Sequence, residues 1–260
     1  MRDPIFDAAW SEEIQAIHRE HRQFADPRVL PNAFSWYQAR TRRIVALVNE
    51  LAPPQSRILD VGCAQGSVAI TLAEAGYDVT ANDIRNSYIS YAQLRDNNKR
   101  VKFICNNFLD YHPVEKFRVV VFTEVIEHIV DHATFLRHIW DSMVPGAILI
   151  VTTPNHGYIR QPLPSYTQVN LEENRERQFT SHGSDHFYLF KKSELIALLD
   201  EAGFELLKHE YFLPFLQYGI FKLAVLWRIL PVSVMETVSG IFENKNICCA
   251  QQLVVARRSD

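Results

Sequence analysis

The chain has 260 residues, 47% of them hydrophobic, and a formal net charge of −3. That composition supports a full hydrophobic core, and the charge excludes a global basic field of the kind that recruits nucleic acid, leaving only a local basic patch possible. Residues 1–7 lack the apolar stretch of a signal peptide, and the four cysteines show no zinc-like pairing, so we expect a protein of the reducing cytoplasm.

Residues 1–54 are predicted to form a helical cap. Helical patterns run from Ala8 to Gln23 and from Ala33 to Leu51, and prolines separate and end them. Such helices either cover the edge of a sheet or close over a ligand cleft. The sequence leaves both roles open.

Residues 55–212 are predicted to form an α/β core. Interleaved strands and helices favour a mostly parallel sheet with helices on both faces. Val144–Gly146 is typical of a turn before a buried strand, and Phe204–Phe212 with Gln251–Arg257 is typical of a closing strand pair. The other predicted strands are 57–61, 77–82, 101–105, 118–122 and 147–152, and the predicted helices are 67–75, 87–96, 132–143 and 192–203.

An apolar segment, residues 213–247, separates the two closing strands and leaves 248–260 as the last strand and tail of the core. Prolines at 214 and 231 and charged residues at 222 and 228 interrupt it, which argues against a transmembrane helix. We predict a helical substrate wall or lid. Contact with a membrane surface and contact with a second subunit are the alternatives.

The most informative motif follows the first predicted strand. The segment Asp60–Gly66 (Asp-Val-Gly-Cys-Ala-Gln-Gly) forms an acid and a glycine loop, and the next strand ends in Asp83. Glycines allow the backbone to approach a ligand closely, and an acid at the second strand's tip can bind ribose hydroxyls. Ala64 and Ser67 break the glycine fingerprint of dinucleotide sites, and Asp60 suits a ligand with an ammonium and a sulfonium better than a pyrophosphate.

This motif resembles the S-adenosylmethionine (SAM) site of class I methyltransferases, except that Ala64 stands where a middle glycine is common. The order of elements over 55–212 and 248–257 is also similar to their Rossmann-like fold, a seven-stranded mostly parallel sheet whose last strand is antiparallel. The resemblance implies SAM as cofactor. Asn107 stands where related enzymes carry an adenine-binding Asp, although an ordinary loop asparagine explains it equally well. The implied cofactor-binding residues are Asp60, Gly62, Cys63, Ala64, Gly66, Asp83, Ile84, Asn107, Phe108 and Glu124.

A possible metal site follows the fourth predicted strand. If Glu124 begins a helix there, Glu124, Glu127 and His128 share one face and form a half-site for Mg, Mn or another divalent ion. With His186, they resemble the metal site of small-RNA 3′-terminal 2′-O-methyltransferases, and a similar stretch occurs in ubiquinone-pathway O-methyltransferases. The resemblance carries all four residues over as ligands. Many methyltransferases without metal share the Glu-His pair, where it caps a helix or lines the pocket.

The sequence therefore predicts a SAM-dependent methyltransferase that O-methylates a small-molecule hydroxyl, on a catechol, phenol, sugar or lipid-like acceptor. His128 and Glu127 are the predicted catalytic residues: either a metal lowers the pKa of the acceptor hydroxyl, or His128 acts as the base. Two alternatives stay open, 2′-O-methylation of an RNA 3′ end and a non-catalytic SAM-binding protein. The oligomeric state is not indicated.

Overall fold

The computed structural model describes residues 4–158, 163–170, 173, 186, 188–214, 229–245 and 248–260. Its seven strands are β1 (Arg57–Val61), β2 (Asp78–Asp83), β3 (Val101–Cys105), β4 (Phe117–Thr123), β5 (Met143–Pro154), β6 (Phe204–Pro214) and β7 (Cys249–Arg258). They form one sheet in the order β3-β2-β1-β4-β5-β7-β6. β1 to β5 pair with one another in parallel, whereas β7 is antiparallel to both β5 and β6. The predicted fold class is confirmed.

The described residues include seven α-helices, which cover both faces of the sheet. They are α1 (Glu12–Ala25), α2 (Pro31–Leu51), α3 (Ser67–Glu74), α4 (Asn86–Arg95), α5 (His132–Asp141), α6 (Lys192–Glu201) and α7 (Val232–Asn244). One core cluster joins α2 and α3 to one face, and a second joins α5 and α6 to the other. Because both faces are covered, the central strands are continuous apolar runs, such as Val119–Phe122 in β4.

The two N-terminal helices begin at clear sequence signals. The hydroxyl of Ser11 accepts a hydrogen bond from the amide of Ile14 at 3.3 Å, so α1 begins at Glu12, four residues later than predicted. Pro31 opens α2, where its missing N–H costs no helical hydrogen bond. α1 packs against α2 and α4, and α2 packs against α3 and α7.

The predicted turn at Val144–Gly146 is wrong, because these residues belong to β5. Phe117 pairs with Met143 and Val119 pairs with Ile148, so β5 carries a bulge opposite β4. The left-handed φ of +67° at Gly146 accommodates that bulge. Gly146, which suggested a chain reversal, therefore allows a bulge within a continuous strand.

The apolar segment is only partly described. Its beginning extends β6 to Pro214, and its end forms α7, which packs against β6 and α2. Residues 215–228, which include Trp227 of the predicted substrate wall, lie outside the described residues. In the described ranges, every helix is too short or too polar to cross a bilayer.

Candidate functional site

A cavity of about 280 Å³ opens at the carboxyl ends of β1, β2 and β4, which is where open α/β sheets bind their ligands. All the predicted cofactor residues except Gly66 line it, and so does His128. Those lining residues are Asp60, Gly62, Cys63, Ala64, Asp83, Ile84, Asn107, Phe108 and Glu124. Their individual roles in binding stay predictions.

The glycine loop owes its shape to backbone hydrogen bonds. The amides of Gly62 and Cys63 both donate to the carbonyl of Asn82, at 2.8 and 2.9 Å. Gly62 has a φ of +70°, and a Cβ there would lie 2.5 Å from Cγ2 of Val125. Only glycine fits this position. Gly66, with a φ of +75°, precedes α3 and shapes the loop from outside the cavity.

Asp83 ties the second strand to this loop. One carboxylate oxygen accepts the amide of Ala64 and the other accepts the amide of Arg85, both at 2.9 Å. Burial raises the pKa of Asp83, and these two amides oppose the rise. Because each oxygen has a second lone pair, the carboxylate can still accept hydrogen bonds from ligand hydroxyls.

Asp60 is a buried carboxylate at the cavity wall. Only 1% of its surface is exposed, and within the described part of the chain no hydrogen bond of standard geometry reaches either oxygen. Burial raises the pKa of Asp60 to about 7; the negative charge of Asp83 adds to the rise, whereas the backbone of Ala69 and the positive charge of Arg40 oppose it. An unsatisfied buried acid of this kind favours a ligand that brings a positive charge.

Arg40 is a cavity residue that the sequence analysis missed. It lies on α2, its guanidinium is 5.2 Å from the ring centres of both Trp36 and Tyr37, and Nη1 is 3.8 Å from Oε1 of Glu124. Tyr37 and Arg40 both line the cavity, so α2 closes one side of it. Arg40 thus brings a fixed positive charge to the cavity that Asp60 also lines, and can hold a ligand carboxylate. The only sequence feature that could have indicated Arg40 is its position one helical turn after Trp36 and Tyr37.

Asn107 and Phe108 contribute a polar and an apolar wall. The side-chain oxygen of Asn107 accepts the amide of Leu109 at 3.1 Å, which caps a short 3-10 turn. This oxygen therefore has a structural role as well as any contact with a ligand. Phe108 is buried and packs edge-on against Phe135 and His138, at 5.7 and 4.8 Å between ring centres.

The predicted helix beginning at Glu124 is wrong. Glu124 has a left-handed φ of 56°, and only a single 3-10 turn, Ile126–His128, follows it. The side chain of Glu124 accepts hydrogen bonds from Thr152 at 2.9 Å and Gln251 at 2.7 Å. The left-handed residue points this carboxylate toward the ends of β5 and β7, so Glu124 does not share a helical face with Glu127.

Three of the four predicted metal ligands do come together. One donor atom each of Glu127, His128 and His186 lies within 4.8 Å of the others, and Glu124 is not part of this group. Glu127 is fully buried; Oε2 accepts the hydroxyl of Thr153 at 2.9 Å, and Oε1 is 3.7 Å from Nε2 of His186. Burial, reinforced by the charge of Glu124, raises the pKa of Glu127 well above its usual range. The cluster adjoins the cavity through His128.

Comparison with known proteins identifies a family that the chain matches. A family model described as a methyltransferase domain matches residues 35–209. A ubiquinone biosynthesis O-methyltransferase from Bradyrhizobium diazoefficiens is 30% identical over 104 residues, which are 39% of this chain and 41% of that protein. The chain covers between 40% and 62% of the length of the curated relatives that match it first.

Two solved structures show the same fold. The SAM-bound magnesium protoporphyrin IX methyltransferase of Synechocystis superposes with a TM-score of 0.59 at 16% identity, covering 98% of this chain and 100% of that chain. The [4+2]-cyclase SpnF gives 0.59 at 18% identity, covering 96% and 97%. At these identities the likeness establishes the fold alone, and the two names denote different reactions.

Proposed function

Since the chain belongs to the methyltransferase-domain family and is a class I SAM-dependent methyltransferase, we propose that it methylates a hydroxyl group of a small molecule. A catechol, a phenol, a sugar and a lipid-like alcohol are the candidate acceptors. The curated relative named above is a ubiquinone biosynthesis O-methyltransferase, which supports oxygen as the acceptor atom. The observation that carries the proposal is the cluster of Glu127, His128 and His186, because transfer to a hydroxyl needs a group that takes the proton.

The charges around the cavity support one orientation of SAM. The ammonium and sulfonium of its methionine end match the unsatisfied carboxylate of Asp60, and its carboxylate matches Arg40. The ribose would then reach Asp83 at the tip of β2. Ile84, Asn107 and Phe108, which follow β2 and β3, would surround the adenine.

Methyl transfer from SAM requires little chemical activation by the protein. The methyl carbon of a sulfonium is already electrophilic, so the residues around the cavity mainly align the acceptor oxygen with it. As the O–C bond forms, the C–S bond breaks and leaves S-adenosylhomocysteine, and the hydroxyl proton passes to a base. His128 lines the cavity and would accept that proton, whereas Glu127 is fully buried outside the cavity, 3.7 Å from Nε2 of His186, and would hold that imidazole.

The cluster also fits a divalent metal. Oε1 of Glu127 is buried without a hydrogen-bond partner among the described residues, and two imidazoles with one carboxylate are a common set for Mn, Fe or Zn. We infer that Glu127, His128 and His186 would hold such an ion. When bound, a divalent ion lowers the pKa of a hydroxyl beside it, which makes the acceptor a better nucleophile.

A transfer assay tests both parts of the proposal. Labelled methyl transfer from SAM would be measured with catechols, phenols, sugars, lipid-like alcohols and RNA 3′ ends as acceptors. We expect transfer to one of the small hydroxyl compounds. Transfer to RNA alone would select the RNA alternative, and binding of SAM without any transfer would refute the proposed reaction.

The same assay tests whether the reaction depends on a metal. We expect EDTA to abolish transfer and Mn²⁺ to restore it, and we expect Glu127→Ala and His186→Ala to lose transfer while SAM affinity stays within about twofold, since cofactor contacts lie elsewhere. His156→Ala is the matched control, because His156 is a partly buried histidine outside the cluster. Full activity in EDTA would refute the metal site and leave His128 as a simple base.

We also propose a cytoplasmic location, which the free state of all four cysteines supports. The expected partner is the small-molecule acceptor. Contact of the apolar segment 213–247 with a membrane surface is a further proposal.

A further inference from the structure

A buried tyrosine holds the 3-10 turn that carries Glu127 and His128. The hydroxyl of Tyr188 lies 3.0 Å from the carbonyl oxygen of Ile126 and 2.8 Å from that of Ile129. These two carbonyls flank Glu127 and His128 in the chain. A single side chain therefore spans the turn from one end to the other.

The same tyrosine stands two residues after His186, in a segment that is itself fixed. The amide of Leu189 donates to the carbonyl of Pro164 at 3.0 Å, and Phe190 forms a bridge with Asn155. The side chain of Gln252, in β7, donates to the carbonyl of Phe190 at 2.8 Å. Residues 188–190 are thus anchored to the sheet through Phe190 and to the turn through the hydroxyl of Tyr188.

His132 takes part in these hydrogen bonds. Its Nε2 lies 2.6 Å from the Tyr188 hydroxyl and 3.2 Å from the carbonyl of Ile126. Burial lowers the pKa of His132 to about 4, so its ring is neutral at neutral pH. A neutral ring has one N–H, and the tautomer with that hydrogen on Nε2 would donate to the tyrosine oxygen and leave the single hydroxyl hydrogen for a carbonyl of the turn.

We propose that Tyr188 is a positioning residue for methyl transfer, which joins the His186 segment to the turn bearing Glu127 and His128. The inference rests on the proposed function of that cluster. Tyr188 is fully buried and lies outside the cavity, so its effect passes through the histidines rather than through contact with the cofactor.

The test is Tyr188→Phe, which removes the hydroxyl and keeps the ring. Tyr166→Phe is the matched control: its ring packs 5.4 Å from that of Tyr188, and among the described hydrogen bonds its hydroxyl makes none to the turn. We expect Tyr188→Phe to lower kcat by about 10- to 100-fold, as for a catalytic group displaced by a fraction of an ångström to an ångström. S-adenosylhomocysteine affinity and the KM for the acceptor should change less than about twofold, and Tyr166→Phe should be near normal.

The Tyr166→Phe control separates positioning from general destabilisation. If Tyr166→Phe lowers kcat as much as Tyr188→Phe does, Tyr188 is a packing residue and the inference is wrong.

Hydrogen exchange gives a readout that needs no acceptor. The amides of His128 and Ile129 bond within the turn, to Val125 at 3.0 Å and to Ile126 at 3.2 Å. Tyr188→Phe should speed their exchange roughly fivefold, the equivalent of one lost neutral hydrogen bond, and leave the loop at 62–66 unchanged. Unchanged exchange in the turn would overturn the inference. Absence of methyl transfer by the wild-type protein would instead count against the proposed function, and exchange would still decide whether Tyr188 holds the turn.

Discussion

Asp83→Asn tests the placement of the cofactor more sharply than any other single change. Both carboxylate oxygens of Asp83 accept a backbone amide, from Ala64 and from Arg85, each at 2.9 Å. In asparagine one of those oxygens becomes an NH₂ group, so a donor must face a donor at one of the two amides. The change keeps the size of the side chain and removes its charge.

The expected loss follows from the contacts that change. Hydrogen bonds to a charged group contribute about 1.5 to 3 kcal/mol. If the ribose depends on this carboxylate, S-adenosylhomocysteine should bind roughly 10- to 150-fold more weakly, at about 1.4 kcal/mol per factor of ten.

Isothermal titration calorimetry at fixed pH and salt measures this loss directly. Asp78→Asn is the matched control, because Asp78 lies at the opposite end of β2, is mostly exposed, and pairs with Arg57 at 3.3 Å. Asp78→Asn should bind normally, and circular dichroism should show both variants folded. Normal affinity in folded Asp83→Asn would place the ribose elsewhere and refute the orientation proposed for SAM.

Two further predictions concern the charged groups of the cavity. The folded protein keeps the Asp60 proton up to about pH 7, whereas an unfolded chain releases it near pH 4. Thermal melting should therefore show the apo protein losing stability as pH rises from about 4 to 7. Over pH 6 to 8, the affinity for S-adenosylhomocysteine should rise up to about tenfold, because the carboxylate becomes charged. Asp60→Asn should flatten both profiles. Arg40→Met should weaken S-adenosylhomocysteine binding roughly tenfold or more in calorimetry, whereas Arg42→Met, on the exposed face of α2, should leave it unchanged. Equal affinities of the two variants would refute the proposed contact between Arg40 and the ligand carboxylate.

The fold and the cofactor loop could be predicted because their signals are local. Alternating strand and helix patterns gave the mostly parallel sheet, and the class I SAM-dependent methyltransferase family is confirmed. The spacing of Glu124, Glu127 and His128 was misleading, because it suits a helix and equally a left-handed residue followed by a 3-10 turn. Nothing in the pattern distinguishes those two backbones.

Other parts of the site depend on contacts between distant residues. Arg40 reaches the cavity from α2, about twenty residues before the glycine loop, and no motif links the two. His132 and Tyr188 are 56 positions apart and meet only because their elements pack on the same face of the sheet. A single sequence contains no measure of such pairings.

The place of β7 in the sheet bears on how the protein is made. β7 follows the other six described strands along the chain, yet it lies between β5 and β6 and supplies Gln251 to Glu124. Until residues 249–258 leave the ribosome, β5 is an apolar edge with open backbone groups, and β6 has no strand to join. The nascent chain is therefore exposed to edge-to-edge association until β7 emerges, and the pairing of β7 closes contacts of long sequence separation, which form slowly.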